Sequence, residues 1–503
     1  MNVPVHRVAR VNIRTTFVIA AVCATAALVA PVAAAPGEVP GYRRFVELES
    51  ARSYSDGLAA AIASRDAVVA GRAALALGRT EDARAAGLLK NASRDSRVPV
   101  RALAVYGYGL LAAKLPISSD LVRAALDDRS PAVRVAAADA ASRLAAAKRA
   151  GAETLIARVA AHALADPDAI VRSRMLTTLA GWRNTPQAGA AMRAALRAYR
   201  AERNPAVRWH AAWTLRRAYA VLLPDAAVTT GLHDADETVR IQFVDIVARR
   251  GGGGPAEARI APLLRDGSWR VREQALETIR VLEGLPRTNH LTAIPAVVVT
   301  PRPEPANTER ALARTPAAGK PRRPSASAAE LRLPLLITSS ASLDGPMPGA
   351  HPRARITTTK GTIVLRLYPE WAPITVANFL ALANRGYYDR NRWFRIVPDF
   401  VAQTGDPNDN GEGDAGYTIP AEENPLEQRT GIISMGLNYT DGKKGPAGPI
   451  RDSAGTQFYI TLSPQLHLNR DFTVFGEVES GFATLGRLVE SDRIVRIERL
   501  PSR

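Results

Sequence analysis

Within residues 393–406, WFRIVPDFVAQTGD, a guanidinium (Arg395), an aromatic ring (Phe400) and a carboxamide (Gln403) lie on two short strand-like runs joined at Pro398-Asp399. No cysteine, histidine or carboxylate pair accompanies them. A permanent cation and an amide beside an aromatic ring suit electrostatic work on a polar bond next to an apolar pocket. They do not suit nucleophilic or metal chemistry. Glu422 and Glu423, adjacent carboxylates further along, also invite an acid–base reading.

The elements that hold these residues follow from hydrophobic alternation across residues 351–503. Residues 354–359 and 362–368 flank Lys360-Gly361 and predict a hairpin. Residues 373–384 predict a helix that starts on Pro373 and stops before Gly386. Strand-like runs follow at 392–397, 400–403, 431–435, 457–462, 472–478 and 493–500, with a second helix at 481–489. Eight strands and two helices in about 150 residues predict a closed β-barrel, which removes sheet edges.

The motifs WFRIVPDFVAQTGDP, GIISMG, SAGTQFYITLS and FTVFGEV occur in this order across 351–503. Together they resemble the cyclophilin-type peptidyl-prolyl cis-trans isomerases, and the resemblance does not extend to residues 1–350. It implies a closed eight-stranded barrel with two helices and an isomerase (rotamase) activity on proline-containing polypeptides. Arg395 would be the catalytic arginine, Phe400 the floor of a proline pocket, and Gln403 a polar partner of the substrate. Val401, Tyr459, Leu468 and Phe472 would form the pocket walls. Gln457 would be a second polar binding residue, Gly436 would supply backbone contacts, and Phe458 would support the core. No metal or cofactor is implied. The chain departs from the family pattern at several places. Trp393-Phe394 stands where Phe-His is common, Leu437 where Asn is frequent, and Phe472 where His is frequent. His467 stands where a Trp tied to cyclosporin binding is frequent, which predicts weak sensitivity to that drug. The loop 438–454 also looks long.

A chain of 503 residues exceeds one ordinary core. Residues 351–503 hold 18 Lys+Arg and 18 Asp+Glu, so the whole formal charge of +18 lies in residues 1–350. There an acidic residue is followed six positions later by Arg, seven times: Asp66/Arg72, Asp95/Arg101, Asp128/Arg134, Asp166/Arg172, Glu202/Arg208, Asp234/Arg240 and Asp266/Arg272. Val precedes the Arg in the last six. The acidic residue suits a turn that caps or opposes the next helix, and the Val faces inward. The Arg reaches the acid of its own or a neighbouring repeat. Steps of 29 to 38 residues suit two-helix units, and segments such as DRSPAVRVAAADAASRLA resemble HEAT-like repeats. Residues 42–285 are therefore expected to form an all-α solenoid that offers a surface to a client or protein partner. Trp209 and Trp213, at i,i+4, are read as core between repeats rather than a stacking platform.

Residues 286–350 carry eleven prolines and predict an extended linker. In residues 1–35, Arg7, Arg10 and Arg14 precede an apolar run over 17–32 and the small residues Ala33–Ala35, the layout of a signal peptide. Cleavage after Ala34 would remove Cys23, the single cysteine, and with it any disulfide or thiol chemistry. These features predict an exported isomerase, periplasmic or otherwise extracytoplasmic, that assists protein folding. The alternatives are an uncleaved membrane anchor, a scaffold that only binds prolyl peptides, and nucleic-acid binding by the basic half. Export argues against the last.

Overall fold

The computed structural model describes residues 45, 47–49, 51–285, 351–397, 400–409, 411, 413–440 and 448–501. The expected signal peptide, the Pro-rich segment 286–350 and the Pro398-Asp399 junction lie outside these residues.

Residues 51–285 are helical. Seven helices begin just after the acidic turns: α1 (Ala67–Arg79), α2 (Val98–Lys114), α3 (Pro131–Ala146), α4 (Ala169–Leu179), α5 (Pro205–Tyr219), α6 (Glu237–Arg250) and α7 (Trp269–Leu282). Each packs on the next, and shorter helices such as Ile156–Ala165 and Ala188–Ala201 lie between them in sequence. Caps and prolines set the starts: Asp66, Asp168, Asn204 and Asp236 accept backbone N–H bonds as N-caps, and Pro131 and Pro205 open their helices. The Val before each arginine (Val100, Val133, Val171, Val207, Val239, Val271) is buried, as its position predicts. Small residues allow the close approach. A Cβ on Gly78 would lie 2.3 Å from Gly107 Cα, and one on Gly109 would lie 2.7 Å from Ala140 Cα.

The acid–Arg recurrence is an ion-pair ladder. Arg134 donates through Nη1 to the carbonyl of Asp128, its own turn, at 2.9 Å. Its Nε and Nη2 donate to both carboxylate oxygens of Asp166, the next turn, at 2.8 Å. Arg101, Arg172, Arg208 and Arg240 repeat this with Asp128, Glu202, Asp234 and Asp266. Beyond Asp66, the acidic residue is not the helix cap. It stands earlier in the turn and accepts the N–H two residues on, as Asp166 does from Asp168 and Asp234 from Asp236. Arg72 departs from the series, pairing with Glu49 and donating to the Glu370 carbonyl at 2.8 Å.

The C-terminal residues form β1 (Arg353–Thr358), β2 (Gly361–Leu367), β3 (Arg395–Val397), β4 (Val401–Thr404), β5 (Ile432–Met435), β6 (Tyr439–Thr440), β7 (Gly448–Pro449), β8 (Phe458–Thr461), β9 (Val474–Ser480) and β10 (Ile494–Leu500). Helices α8 (Pro373–Asn384) and α9 (Phe482–Leu485) complete it, α9 being shorter than the expected 481–489. The β1–β2 hairpin turns at Gly361, whose φ of +131 suits glycine. Eight strands form one antiparallel sheet in the order β10-β1-β2-β9-β5-β8-β4-β3, and β6-β7 pair separately. Phe379, Tyr388, Phe458 and Phe475 pack ring against ring at its centre. The sheet is a curled half-barrel, which corrects the expected closed barrel. Its ends approach through one isolated bridge, Arg392–Arg493, and no ladder joins β3 to β10. The physical reason is local: β3 has three residues, and the Ile396 N–H donates to the Glu490 carboxylate at 3.3 Å instead of to a strand.

The helices dock on this domain. Buried Arg79 pairs with Glu49 and donates to the Glu423 carbonyl at 2.9 Å. Arg470 donates to Ser142 Oγ at 2.7 Å and to Asp139 at 2.6 Å, while Arg174 binds the same Asp139 at 2.9 Å. Leu466 packs against Ala180 and Trp213, with Trp209 beside them. The tryptophan pair therefore meets the C-terminal domain as well as the helical core, a third role beyond the two weighed from sequence.

Two stability predictions follow from the ladder. Arg134→Ala removes the bidentate partner of the Asp166 carboxylate, 1% exposed, and leaves it the His162 ring and the Asp168 N–H, so it should cost about 1.5–3 kcal/mol in urea unfolding followed by helical circular dichroism. Burial tends to raise the carboxyls of Asp166, Glu202, Asp234 and Asp266, but arginine and backbone N–H donors outweigh it and hold them below the usual range. Arg97 holds Asp95 down at about 2. Groups depressed on folding stabilise above their unfolded value of about 4 and lose that contribution as pH falls through the folded values. The urea midpoint should therefore fall between about pH 5 and pH 2, and a midpoint flat over that window would contradict the ladder's role.

Candidate functional site

Strand register assembles the polar side. Antiparallel pairing sets Arg395 opposite Gln403 on β3–β4 and Gln403 opposite Tyr459 on β4–β8. Arg395 Nη1 donates to Gln403 Oε1 at 3.3 Å, and Gln403 Nε2 donates to Gln457 Oε1 at 3.1 Å. Gln457 Nε2 in turn donates to the carbonyls of Gly411 and Gly413, at 2.9 and 3.1 Å. This chain of amides fixes the rotamer of each member and leaves the guanidinium as its cationic end. Arg395 is exposed at the strand edge. Desolvation holds it somewhat below the usual arginine value, opposed by Tyr439 and Glu490, and it stays charged at ordinary pH.

The apolar side adjoins this chain. Val401, Tyr459, Leu468 and Phe472 form a small buried cluster of their own, with Phe400 and Leu437 packed against it. Tyr459 and Phe472 meet edge to face at 5.7 Å. Phe400 lies between two groups: the Arg395 guanidinium 5.2 Å from its centroid, and the His467 ring stacked 5.6 Å away at 15°. The predicted residues are thus brought together, with Phe458 left on the opposite, core side of its strand, fully buried. Gly436 lies beside Gln457 and Gln403, and a Cβ there would sit 3.2 Å from Gln457 Cβ. Its N–H already donates to the Gln457 carbonyl at 2.8 Å, so the backbone contact expected of it falls to its carbonyl.

Three features were not singled out from sequence. The loop after β4 holds Gln457 through Gly411 and Gly413, and its start, Gly405, has φ +88 with Thr456 O 2.5 Å from a would-be Cβ. The glycine-rich text GDPNDNGEGDAG was the available signal. Tyr439 is exposed, with its ring 6.4 Å from Phe472. His467 receives a field from another part of the chain. Burial, then Arg217, Arg216 and Arg249 of the helical region, push it down to about 4. Glu422 is buried and caps α8 through the N–H groups of Ile374 and Thr375, at 3.1 and 2.9 Å, a structural task. Among the described residues no cluster of metal-ligating side chains occurs. An apolar groove of about 710 Å³, lined by Val68, Leu103, Tyr106, Ile170 and Trp371 among others, lies at the junction with the helices and includes no residue of this constellation.

Residues 353–499 match the family model described as cyclophilin type peptidyl-prolyl cis-trans isomerase/CLD. Similar proteins include peptidyl-prolyl cis-trans isomerase B of Bacillus subtilis, 43% identical over 140 residues, 27% of this chain and 90% of that protein. Another is a peptidyl-prolyl cis-trans isomerase of Synechococcus elongatus, 36% identical over 148 residues, 29% of this chain and 94% of that protein. Among solved structures, a cyclophilin-type isomerase of Cryptosporidium parvum is 29% identical and covers 30% of this chain and 98% of its own, with a TM-score of 0.27.

One prediction concerns the histidine. The carbon-bound ring protons of His467 should titrate by NMR with a midpoint near pH 4. A midpoint near the ordinary 6.5 would show that the helical arginines and the burial do not act on it.

Proposed function

The chain belongs to the cyclophilin-type peptidyl-prolyl cis-trans isomerases, and on that premise we propose that Arg395, Phe400 and Gln403 carry the reaction. The observation that supports this most is the continuous chain Arg395–Gln403–Gln457 running beside the Phe400, Val401, Tyr459, Leu468 and Phe472 cluster. An X–Pro bond resists rotation because nitrogen donates its lone pair to the carbonyl, a barrier of about 18–20 kcal/mol. In the twisted state the nitrogen is pyramidal and its lone pair localised. A fixed guanidinium aimed at that nitrogen stabilises the twisted state more than the planar one, which is the condition for catalysis. The apolar cluster grips the prolyl ring. Gln403 and Gln457 hold the peptide's polar groups, and the Gly436 carbonyl receives a backbone N–H. No proton moves.

The remaining readings are proposals of the same account. Residues 42–285 form a HEAT-like solenoid, supported by the repeating Arg–carboxylate ladder, and present a surface to a client or partner. Residues 286–350 are a linker, 351–503 the isomerase domain, and 1–35 a signal peptide that exports the protein to the periplasm or its equivalent. If the signal is uncleaved it is a membrane anchor. His467 in place of an indole weakens cyclosporin binding.

In a protease-coupled isomerase assay on the full chain, Arg395→Ala should lower kcat/KM about 10²- to 10³-fold, as loss of one preorganised donor does elsewhere. The urea midpoint should change little, since Arg395 is exposed. An unmutated chain that binds prolyl peptides without turnover would support a non-catalytic scaffold instead.

A further inference from the structure

The loop that carries half of the proline pocket is held by the helices. Leu466, next to His467, packs on Trp213 of α5 and Ala180 at the end of α4. Arg470, two residues past Leu468, is tied to Asp139 and Ser142 of α3. The helical surface therefore begins where the pocket wall ends. On α5 the residues three and four positions beyond Trp213 are Arg216 and Arg217, on the same face by helical spacing. Arg183 follows Ala180 by three residues and is exposed. Arg216 is paired with Asp245 at 2.7 Å. The hydrogen bonds and ion pairs among the described residues include none from the side chains of Arg183 or Arg217. Arg217 feels Arg183, Arg249 and Arg216 as like charges and only Asp471 as an opposing one. The His467 ring, stacked on the pocket floor Phe400, lies within the field of Arg217, Arg216 and Arg249. The net positive charge of this chain lies wholly outside its neutral C-terminal domain.

We propose that the peptide groove continues from the proline pocket past His467 onto the helical region, where Arg183 and Arg217 receive an acidic side chain close to the substrate's proline. The inference rests on the isomerase reading and adds a substrate class to it: prolyl segments with a nearby Asp or Glu. Arg183 and Arg217, with Asp471 the one opposing carboxylate that Arg217 feels, form a field that an added carboxylate relieves. The proline pocket itself is apolar and selects only the ring, so discrimination among prolyl peptides falls to this outer wall.

The test compares two peptides identical except for Glu or Gln two residues before the proline, and again two residues after it. Full-length protein should show a kcat/KM ratio of Glu over Gln of about three- to tenfold at low ionic strength, at one of the two positions. The ratio should shrink towards one at about 0.5 M NaCl, because salt screens the exposed Arg183 and the half-buried Arg217 at the protein surface. Arg183→Glu and, separately, Arg217→Glu should abolish or invert it. Because Arg183 is exposed, its variant is expected to fold even if the Arg217 variant does not. Turnover of the Gln peptides with a ratio of one at both positions, at low salt, overturns the inference and leaves the isomerase reading intact. Turnover of neither Glu nor Gln peptide sinks the isomerase reading and this inference together.

Discussion

The antiparallel register that places Arg395 against Gln403 and Gln403 against Tyr459 is the constraint on which the site depends. Side chains alternate along a strand, so a slip of one residue would send the guanidinium and both amides into the core and bring Ile396 and Ala402 out. The register is held by what lies on the other face. Ile396, Ala402, Phe458 and Ile460 all face the buried aromatic core, and moving any of them outward exposes apolar surface. The chemistry on one face of β3, β4 and β8 is thus positioned by packing on the other. β3 is the edge strand and pairs only with β4, so that Arg395 lies at an exposed edge where a peptide can reach it.

The second constraint is the seam. The helical region reaches the loop of Leu466, Leu468 and Arg470 through Asp139, Ser142, Ala180 and Trp213. Asp139 is fully buried, yet two arginines from different parts of the chain, Arg174 and Arg470, hold it below the usual carboxylate value against the effect of burial. A buried carboxylate shared in this way fixes the geometry of both partners, because losing either leaves a charge poorly compensated. One wall of the pocket is set by the sheet and the other by helices that arose from a different sequence pattern.

Much of this was legible in the sequence, and the reasons are physical. Period-two alternation gave all eight main strands, and Pro373 with Gly386 gave α8 to the residue, because these signals are local. The acid–Arg recurrence gave the positions of the helices and the inward Val, again by local spacing. Local patterns could not say whether β3 would close on β10, since that closure depends on a side chain, Glu490, taking an N–H from a distant strand. Nor could they say that Trp209 and Trp213 face Leu466, more than two hundred residues away. Of the site, Arg395, Phe400 and Gln403 were readable because they fall within one short run. The Gly411 and Gly413 carbonyls were not, because a backbone acceptor leaves no residue type to notice. The arginines around His467 carry no local signal, because they come from the helical region, far from the pocket in sequence.

The central claim is that this constellation turns X–Pro bonds rather than merely holding them. Two-dimensional exchange NMR on an Ala-Pro peptide tests it directly, since uncatalysed exchange takes about 10–100 s and gives no cross-peaks at short mixing times. With the full-length protein at a small fraction of the peptide concentration, cis–trans exchange cross-peaks should appear within mixing times well under a second. Peptide resonances that shift on binding while no exchange cross-peaks develop would contradict the account.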